Sequence, residues 1–157
     1  MIEMINTKEK IIHYLHNNNI SFWKLDHPPA ASAEDYHRTL GTRYEQQAKA
    51  LLLRYRSHGQ KGFVVVTIQA QKKANLALLA GKIGASTIRL ATLVQLKEVT
   101  GCSFGELPPI GGLFGLQLLM DKDLLSQDMI YFNAGDLSFS VAMAPGALQR
   151  LEKPLLF

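Results

Sequence analysis

Two apolar segments separated by a short polar turn constrain the fold of this chain more than any other feature. The first covers residues 47–56 and the second covers residues 63–68. The six residues between them include two glycines, which suit a tight turn. The first segment is a nearly continuous apolar run, which is typical of a strand covered on both faces. The pattern therefore predicts a long β-hairpin whose first strand is buried.

The length and composition fit one domain with a substantial core. The chain has 157 residues, of which 47% are hydrophobic, so it needs no linker or second core. Its lone cysteine, Cys102, excludes an internal disulfide and a cysteine-rich zinc site, as is usual in a reducing compartment. Residues 1–6 lack the pattern of a secretion signal, and no later segment is an apolar run of membrane length. We therefore expect a cytoplasmic protein that contacts no membrane.

Helix caps and apolar periodicity predict both helices and strands along the chain. Five helices should begin at the caps Asn6, Ser32, Asn75 and Thr92 and at Pro145. The first four should end at residues 17–19, Gly41, Gly84 and Gly101. Outside the hairpin, five strands are expected, at residues 20–25, 86–90, 113–120, 129–132 and 137–141. Asp26 should begin a break, Asp121 should cap a helical turn, and residues 133–136 should form a turn.

Residues 99–112 form the segment best suited to bind a ligand. They contain four glycines and two prolines between two apolar segments. Glycine lets the main chain approach a ligand closely and aim successive N–H groups at one point, while proline stiffens the turn. Such a loop can stabilise an anion or a developing oxyanion without a titrating side chain. A plain connection between a helix and a strand is the alternative.

Basic residues on the predicted hairpin allow contact with an anionic partner. The net charge is +4 and the isoelectric point is about 9.2, values that permit nucleic-acid binding without requiring it. Lys49 lies within an apolar strand, so its ammonium must reach solvent or meet an anion. Four basic residues cluster near the turn, namely Arg54, Arg56, His58 and Lys61. They either contact phosphates or keep the hairpin soluble.

Three further patterns carry reactive side chains but lack the usual partners. Residues 101–105 match the G-x-S-x-G nucleophile pattern, yet a helix precedes them and no histidine follows His58. Cys102 would need a basic neighbour to form a thiolate, and a small buried cysteine is the alternative. His13 and His16 share one helix face, where a metal pair or a solvated surface is expected.

Several short motifs follow one another in a distinctive order. Residues 105–109 have the spacing G-x-x-x-P after a Thr-Gly helix end. Four other motifs accompany it: His27-Pro28 followed by Ser32-Ala33-Glu34, Lys49 followed by Leu51-Leu52, residues 82–90, and Asn133-Ala134-Gly135. This ordered set resembles the YbaK and prolyl-tRNA-synthetase-associated editing domain family. The resemblance covers residues 8–151, which is nearly the whole chain.

This resemblance implies a fold, a reaction and a site. The fold would be a single compact α/β (α+β) domain over residues 1–157, with a mixed, curved, barrel-like sheet surrounded by helices. The reaction would be hydrolysis, in trans, of the ester in mischarged tRNA, without metal or other cofactor and with water activated by the substrate's ribose hydroxyl. Lys49 would hold the terminal adenosine, and Gly105 would help to stabilise the oxyanion. Four further residues would bind the substrate: Gly101, Pro109, Gly135 and Asp136.

The same resemblance implies the partners and leaves two functions open. Mischarged tRNA is the expected partner, with a prolyl-type aminoacyl-tRNA synthetase as a second one, and DNA is not expected. The edited amino acid should be small, such as alanine, cysteine or serine, because the volume of the pocket limits this choice. Ala50 stands where the family has threonine or asparagine, which removes a hydrogen-bonding group. The alternative to a deacylase is therefore a catalytically silent relative that binds tRNA or a synthetase.

Overall fold

Helices and strands alternate along most of the chain. The computed structural model describes residues 6–157, so residues 1–5, part of the segment expected to lack a secretion signal, lie outside the described residues. The α-helices are α1 (Thr7–Asn17), α2 (Ala33–Leu40), α3 (Leu76–Ile83), α4 (Leu93–Thr100) and α5 (Pro145–Glu152). The strands are β1 (Trp23–Asp26), β2 (Ala48–Ser57), β3 (Gln60–Gln69), β4 (Thr87–Leu90), β5 (Leu118–Met120), β6 (Ile130–Asp136), β7 (Phe139–Met143) and β8 (Leu155–Leu156).

The strands form two sheets, one of which is mixed. The larger sheet has the order β4-β2-β3-β5-β8, in which β5 is parallel to both β3 and β8. The smaller sheet has the order β1-β7-β6 and is antiparallel. A parallel bridge between Gln47 and Tyr131 connects them. A single α+β domain with a mixed sheet is therefore confirmed, although the strands divide into two sheets instead of one barrel-like sheet.

The predicted hairpin forms the centre of the larger sheet. β2 and β3 pair along their whole length, and the turn between them is only two residues long. His58 and Gly59 form this turn with φ angles of 51° and 78°, a conformation whose twist matches that of the strands. Leu52 belongs to the main apolar core, while Leu53 belongs to a second cluster with Leu79 of α3. The centre of β2 is thus covered on both faces, as predicted.

The predicted helix boundaries are confirmed because the sequence carries their caps. Four cap side chains accept a hydrogen bond from the main-chain N–H three positions later: Asn6, Ser32, Asn75 and Thr92. Three helices end at a left-handed glycine: Gly41, Gly84 and Gly101. Pro145 begins α5, where its missing N–H removes no helical hydrogen bond. Within residues 6–157, no helix combines the length and the apolar composition needed to cross a bilayer.

Three strand predictions differ from the structure. The strand expected at residues 113–120 is wrong in its first part, because Gly111–Phe114 is a 3-10 turn and β5 begins only at Leu118. The turn expected at residues 133–136 is also wrong, since these residues belong to β6 and the turn lies at residues 137–138. The first strand begins at Trp23 instead of residue 20, and it includes Asp26, which was expected to begin a break. Because β1 is largely exposed, the hydropathy of its side chains says little about its ends.

A β-bulge explains why residues 133–136 resemble a turn in sequence. The register between β6 and β7 shifts between Asn133 and Asp136, and Gly135 has a φ of 80° there. A bulge allows a strand to pass through a polar, glycine-containing segment. Gly135 also packs against the first turn of α1, where an added Cβ would lie 2.7 Å from the Lys8 nitrogen. Only glycine therefore fits this position.

Replacing Gly135 with alanine should lower the free energy of unfolding by about 2–4 kcal/mol, since the change adds a clash to an unfavourable φ. Urea denaturation followed by circular dichroism measures this difference. Gly115→Ala is the matched control, because Gly115 also has a positive φ, of 70°, with no atom within 4 Å of the added Cβ. Its expected cost is about 1 kcal/mol. Equal losses for the two variants would contradict the packing role of Gly135.

Candidate active site

The cavity lined by both residues predicted to be catalytic, called the main cavity below, lies between strands of the two sheets. It is an open cleft of about 480 Å³ between the start of β2, the middle of β6, the beginning of α2 and the loop after α4. Its lining residues are Ala31, Ser32, Ala33, Tyr36, Gln47, Ala48, Lys49, Ala50, Ala70, Gly105, Leu107, Tyr131, Phe132 and Asn133. None of these described residues is Asp, Glu, His or Cys. The chemistry available in the cavity therefore comes from one ammonium group, tyrosine and amide side chains, and the main chain.

Lys49 enters the cavity from β2 and is partly buried. Its Nζ donates to the carbonyl oxygens of Ala70 at 3.4 Å and of Lys72 at 3.1 Å. An ammonium group has three N–H donors, so one of them remains for a ligand. Burial lowers the pKa of Lys49 from its ordinary value, and no carboxylate within residues 6–157 forms an ion pair with it. An unpaired, partly desolvated cation of this kind is suited to an anionic or strongly polar ligand.

Gly105 brings the main chain of the glycine-rich loop to the same cavity. Its φ is 84°, and an added Cβ would lie 3.0 Å from Leu137 Cδ2 and 3.5 Å from Ala31 Cβ. The Gly105 carbonyl accepts a hydrogen bond from Asn133 Nδ2 at 3.1 Å. In the described part of the chain, the Gly105 N–H has no hydrogen-bond acceptor. The two residues predicted to be catalytic, Lys49 and Gly105, thus line one cavity.

Hydrogen bonds from β6 hold the loop that carries Gly105. The Gly135 N–H donates to the Glu106 carbonyl at 2.9 Å. Within the loop, the Glu106 carboxylate accepts a hydrogen bond from the Ser103 N–H at 2.7 Å. Gly135 was predicted to contact the substrate, but it lies behind the loop and outside the cavity lining. The bulge in β6 therefore positions the loop from behind.

A buried polar network connects the cavity to β7. Asn133 Nδ2 also donates to the Ala30 carbonyl at 2.7 Å, and its Oδ1 accepts from Ser140 Oγ at 3.1 Å. The Tyr36 hydroxyl donates to the same Ser140 Oγ at 2.7 Å. Burial raises the pKa of the Tyr36 phenol, so this side chain stays neutral. The network fixes Asn133, which in turn fixes the Gly105 carbonyl.

Sequence reasoning missed the roles of Tyr36 and Ser140 and placed Asn133 in a turn. The available signal was a polar residue between apolar neighbours, because Asn133 stands between Phe132 and Ala134 in a buried strand. A buried amide needs hydrogen-bond partners. Ser140 is a near one, seven residues away on the paired strand, but Ala30 and Gly105 are 103 and 28 residues away. The contacts of Asn133 with Ala30 and Gly105 therefore become visible only in the folded chain.

Three other predicted substrate-binding residues lie outside the cavity lining. Gly101 ends α4 and is exposed, and Pro109 is buried. Asp136 is exposed at the end of β6, where its carboxylate accepts from the Ser138 N–H at 2.8 Å. The structure therefore brings together Lys49 and Gly105, and it does not bring these three residues to them.

An apolar cleft of about 590 Å³ adjoins the main cavity. The two share five lining residues: Ala31, Lys49, Ala50, Gly105 and Leu107. The far side of the cleft carries Leu90, Leu93 and Phe104, which are 55%, 66% and 64% exposed. A ligand that occupies the main cavity can therefore extend over an apolar surface without leaving the site.

The reactive residues outside the cavity have no catalytic arrangement. Ser103 is exposed on a loop that follows a helix, so the strand-to-helix turn of a serine nucleophile is missing. Cys102 is buried, as expected for a structural cysteine, and this burial raises the pKa of its thiol. His13 and His16 are exposed on α1. No group of three His, Cys, Asp or Glu side chains within residues 6–157 is arranged to hold a metal ion.

Comparisons with known proteins identify the family of this chain. Residues 27–151 match the aminoacyl-tRNA editing domain family. The chain is 32% identical over 151 residues to the multifunctional Ser/Thr-tRNA deacylase ProXp-y of Escherichia coli (strain K12). This match covers 96% of this chain and 90% of that protein. It is 23% identical over 153 residues to the prolyl-tRNA editing protein ProX of Acetoanaerobium sticklandii, with 95% and 92% covered.

The fold is also found in solved structures. The crystal structure of hypothetical protein APE2540 superposes with a TM-score of 0.85 and 21% identity, over 94% of this chain and 97% of that one. Because the editing-domain match spans most of the chain and a relative reaches 32% identity, this protein belongs to the aminoacyl-tRNA editing domain family.

Proposed function

We propose that this protein is a free-standing aminoacyl-tRNA deacylase, which hydrolyses the ester of mischarged tRNA in the cytoplasm. The observation that carries the proposal is the position of Lys49 and Gly105 at one cavity. Membership of the editing family supports it, as does a relative named as a Ser/Thr-tRNA deacylase. The reaction adds water to the ester carbonyl and breaks its bond to the ribose oxygen, which takes a proton. The products are the free amino acid and uncharged tRNA.

The two cavity residues have complementary tasks in this reaction. The free N–H of the Lys49 ammonium holds an oxygen of the terminal adenosine and fixes the position of the ester. The Gly105 N–H donates to the carbonyl oxygen as negative charge develops there. Asn133 keeps the Gly105 peptide in place through its hydrogen bond to the carbonyl. Catalysis thus relies on positioning and on main-chain dipoles.

The substrate itself supplies the group that activates water. Among the described residues that line the main cavity, the titratable side chains are Lys49, Tyr36 and Tyr131, and none is a carboxylate or an imidazole. A general base near neutral pH is normally one of those two groups. The ribose hydroxyl next to the ester lies within reach of the attacking water, so we assign the proton transfer to it.

The cavity favours a small amino acid. Its walls include three alanines around Lys49: Ala48, Ala50 and Ala70. Serine, alanine and cysteine are therefore the first candidates, and threonine is added because the Escherichia coli relative is named for both serine and threonine. Differences of one methylene change selectivity by only about 1–3 kcal/mol, so a graded preference is expected.

A prolyl-type aminoacyl-tRNA synthetase is the second proposed partner, supported by the relative named as a prolyl-tRNA editing protein. The alternative function is a silent relative that binds tRNA or the synthetase without turnover. Ala50 favours this alternative, since it lines the cavity with a methyl group where the family resemblance implies threonine or asparagine.

A panel of mischarged tRNAs separates the two functions. Each of four substrates, charged with alanine, cysteine, serine or threonine, is incubated with the wild-type protein, and the remaining ester is measured over time. Hydrolysis of at least one substrate well above its spontaneous rate is the expected result. Saturable tRNA binding without hydrolysis of any ester would instead identify the silent relative.

Asn133→Ala should lower kcat by about tenfold or more while changing KM little, because the loop stays present but the Gly105 peptide is no longer held. The loss of three buried hydrogen bonds should also cost about 1–3 kcal/mol of stability. Steady-state kinetics and urea denaturation measure the two effects. Ser140→Ala is the comparison variant: it removes the hydrogen bonds that Asn133, Tyr36 and His27 make to Ser140 Oγ. It leaves both hydrogen bonds of Asn133 Nδ2, including the one to the Gly105 carbonyl, so it should lower kcat less. A kcat unchanged in both variants would rule out the positioning role.

A further inference from the structure

Four basic side chains share one face of the larger sheet and are not used by the site described above. Arg54 of β2 lies directly opposite Arg89 of β4, and Arg56 of β2 lies directly opposite Lys61 of β3. Residues opposite each other in antiparallel strands point to the same side, as do residues two apart in one strand. Arg54, Arg56, Lys61 and Arg89 therefore form one surface, called the basic face below.

The basic face has no partner within the described chain. Like charges placed directly opposite each other destabilise a sheet. The ion pairs within residues 6–157 involve other cations, so no carboxylate lies within 4.0 Å of these four. Arg56, Lys61 and Arg89 are exposed, and Arg54 is half-buried. Two like-charge pairs that cost stability and meet no internal anion are suited to an external polyanion.

The position of the basic face connects it to the catalytic cavity. Leu52 and Ala91 line the apolar cleft, and each lies two residues from a member of the face, Arg54 and Arg89 respectively. Two residues of a strand span about 7 Å, so the cations begin where the cleft ends. Along β2 the order is thus Lys49, the cleft residues 50–52, and then the members of the basic face.

We propose that the basic face binds phosphates of the tRNA acceptor stem, while the unpaired 3′ nucleotides cross the apolar cleft to reach Lys49. The inference rests on the proposed deacylase function. Exposed Phe104 and Leu93 provide a surface on which unstacked bases pack, and the cations beyond them meet the backbone. A concave apolar cleft beside a basic surface fits a single strand that leads into a duplex better than it fits a lipid surface.

The test compares a charge-neutralised variant on a long and a short substrate. Arg54→Gln/Arg89→Gln removes one charge pair, and Lys10→Gln/Lys122→Gln removes the same net charge at exposed positions away from the face. Each protein is assayed on the mischarged tRNA that the wild type hydrolyses fastest and on the ester of adenosine with the same amino acid. The salt dependence of kcat/KM on tRNA is measured for each.

The basic-face variant should lose about tenfold in kcat/KM on tRNA at 0.1 M salt and less than about twofold on the adenosine ester. The slope of log(kcat/KM) against the logarithm of the salt concentration should be smaller in magnitude by about one to two than the wild-type slope. The control variant should have the wild-type slope. Because the variant removes a like-charge pair, its thermal midpoint should not fall.

Unchanged hydrolysis of tRNA by the basic-face variant would overturn the inference, as would equal losses on both substrates. Loss of binding to vesicles of anionic phospholipid, with tRNA hydrolysis intact, would assign the face to a membrane instead. If the wild type hydrolyses neither substrate, the proposed function fails. If the wild type hydrolyses both substrates and the variants have the same kcat/KM as the wild type, only the role of the basic face fails.

Discussion

Lys49→Met should lower kcat/KM for ester hydrolysis by at least about a hundredfold, because it removes the lysine ammonium that lines the main cavity. Methionine keeps an unbranched apolar stem of similar length, so the cavity should retain its shape. Hydrolysis of the preferred mischarged tRNA under single-turnover conditions measures the loss. Lys73→Met is the matched control, since Lys73 is exposed and next to the carbonyl group that holds Lys49. Activity of Lys49→Met equal to that of the wild type would contradict the role of the ammonium.

The pH dependence of hydrolysis provides a second test of the role of Lys49. Burial lowers the pKa of Lys49, so its proton should be lost at a lower pH than that of an exposed lysine. Enzymatic hydrolysis, after subtraction of the spontaneous rate at each pH, should therefore decline on the alkaline side. This decline should be absent from the residual activity of Lys49→Met.

The stability of the same variant should move in the opposite direction from its activity. Between the lowered pKa of Lys49 in the folded chain and the ordinary value of 10.5, the unfolded chain binds more protons than the folded chain. Wild-type stability therefore gains a contribution as pH rises through that window. Lys49→Met lacks this gain, and at neutral pH it also lacks the cost of a partly buried charge. Activity loss without a loss of neutral-pH stability would mark Lys49 as a functional residue.

Gly105→Val should have the second-largest effect, lowering kcat/KM by about a hundredfold. A β-branched residue strongly disfavours the φ of 84°, and its Cβ would lie 3.0 Å from Leu137 Cδ2. The loop should shift and carry its N–H away from the cavity. The free energy of unfolding should fall by about 2 kcal/mol.

Gly84→Val separates the loss of stability from the loss of position. Gly84 also has a positive φ, of 68°, but lies at the end of α3 with no atom within 4 Å of the added Cβ. This control should lose comparable stability and keep its kcat/KM. If both valine variants lose activity equally, general destabilisation would explain the effect and the loop would not need Gly105 for catalysis.

Local chemistry made a large part of this fold predictable. The caps Asn6, Ser32, Asn75 and Thr92 act within one helical turn, so their sequence pattern is sufficient to set the helix starts. The hairpin was equally visible as two apolar runs around a polar, glycine-containing segment, although a six-residue turn was expected there and the turn is only the two residues 58–59. Lys49 stood out as a charge in an apolar strand, and the loop at Gly105 stood out by its glycines.

The remainder depends on contacts between distant segments. A bulge in β6 has the composition of a turn, so Gly135 was expected at the cavity although it holds the loop from behind. Asn133 meets Ala30, 103 residues away, and Gly105, 28 residues away, only in the folded chain. The basic face could be recognised only from the register of three strands, since Arg89 follows Arg54 by 35 positions in the sequence.

The most direct test of the account is a crystal structure of the protein with an aminoacyl adenosine in which an amide replaces the ester. We expect the ligand in the main cavity, with an oxygen of the adenosine end at about 3 Å from Lys49 Nζ and the amide carbonyl oxygen at the Gly105 N–H. A ligand bound elsewhere, or bound here without contact to either group, would contradict the account.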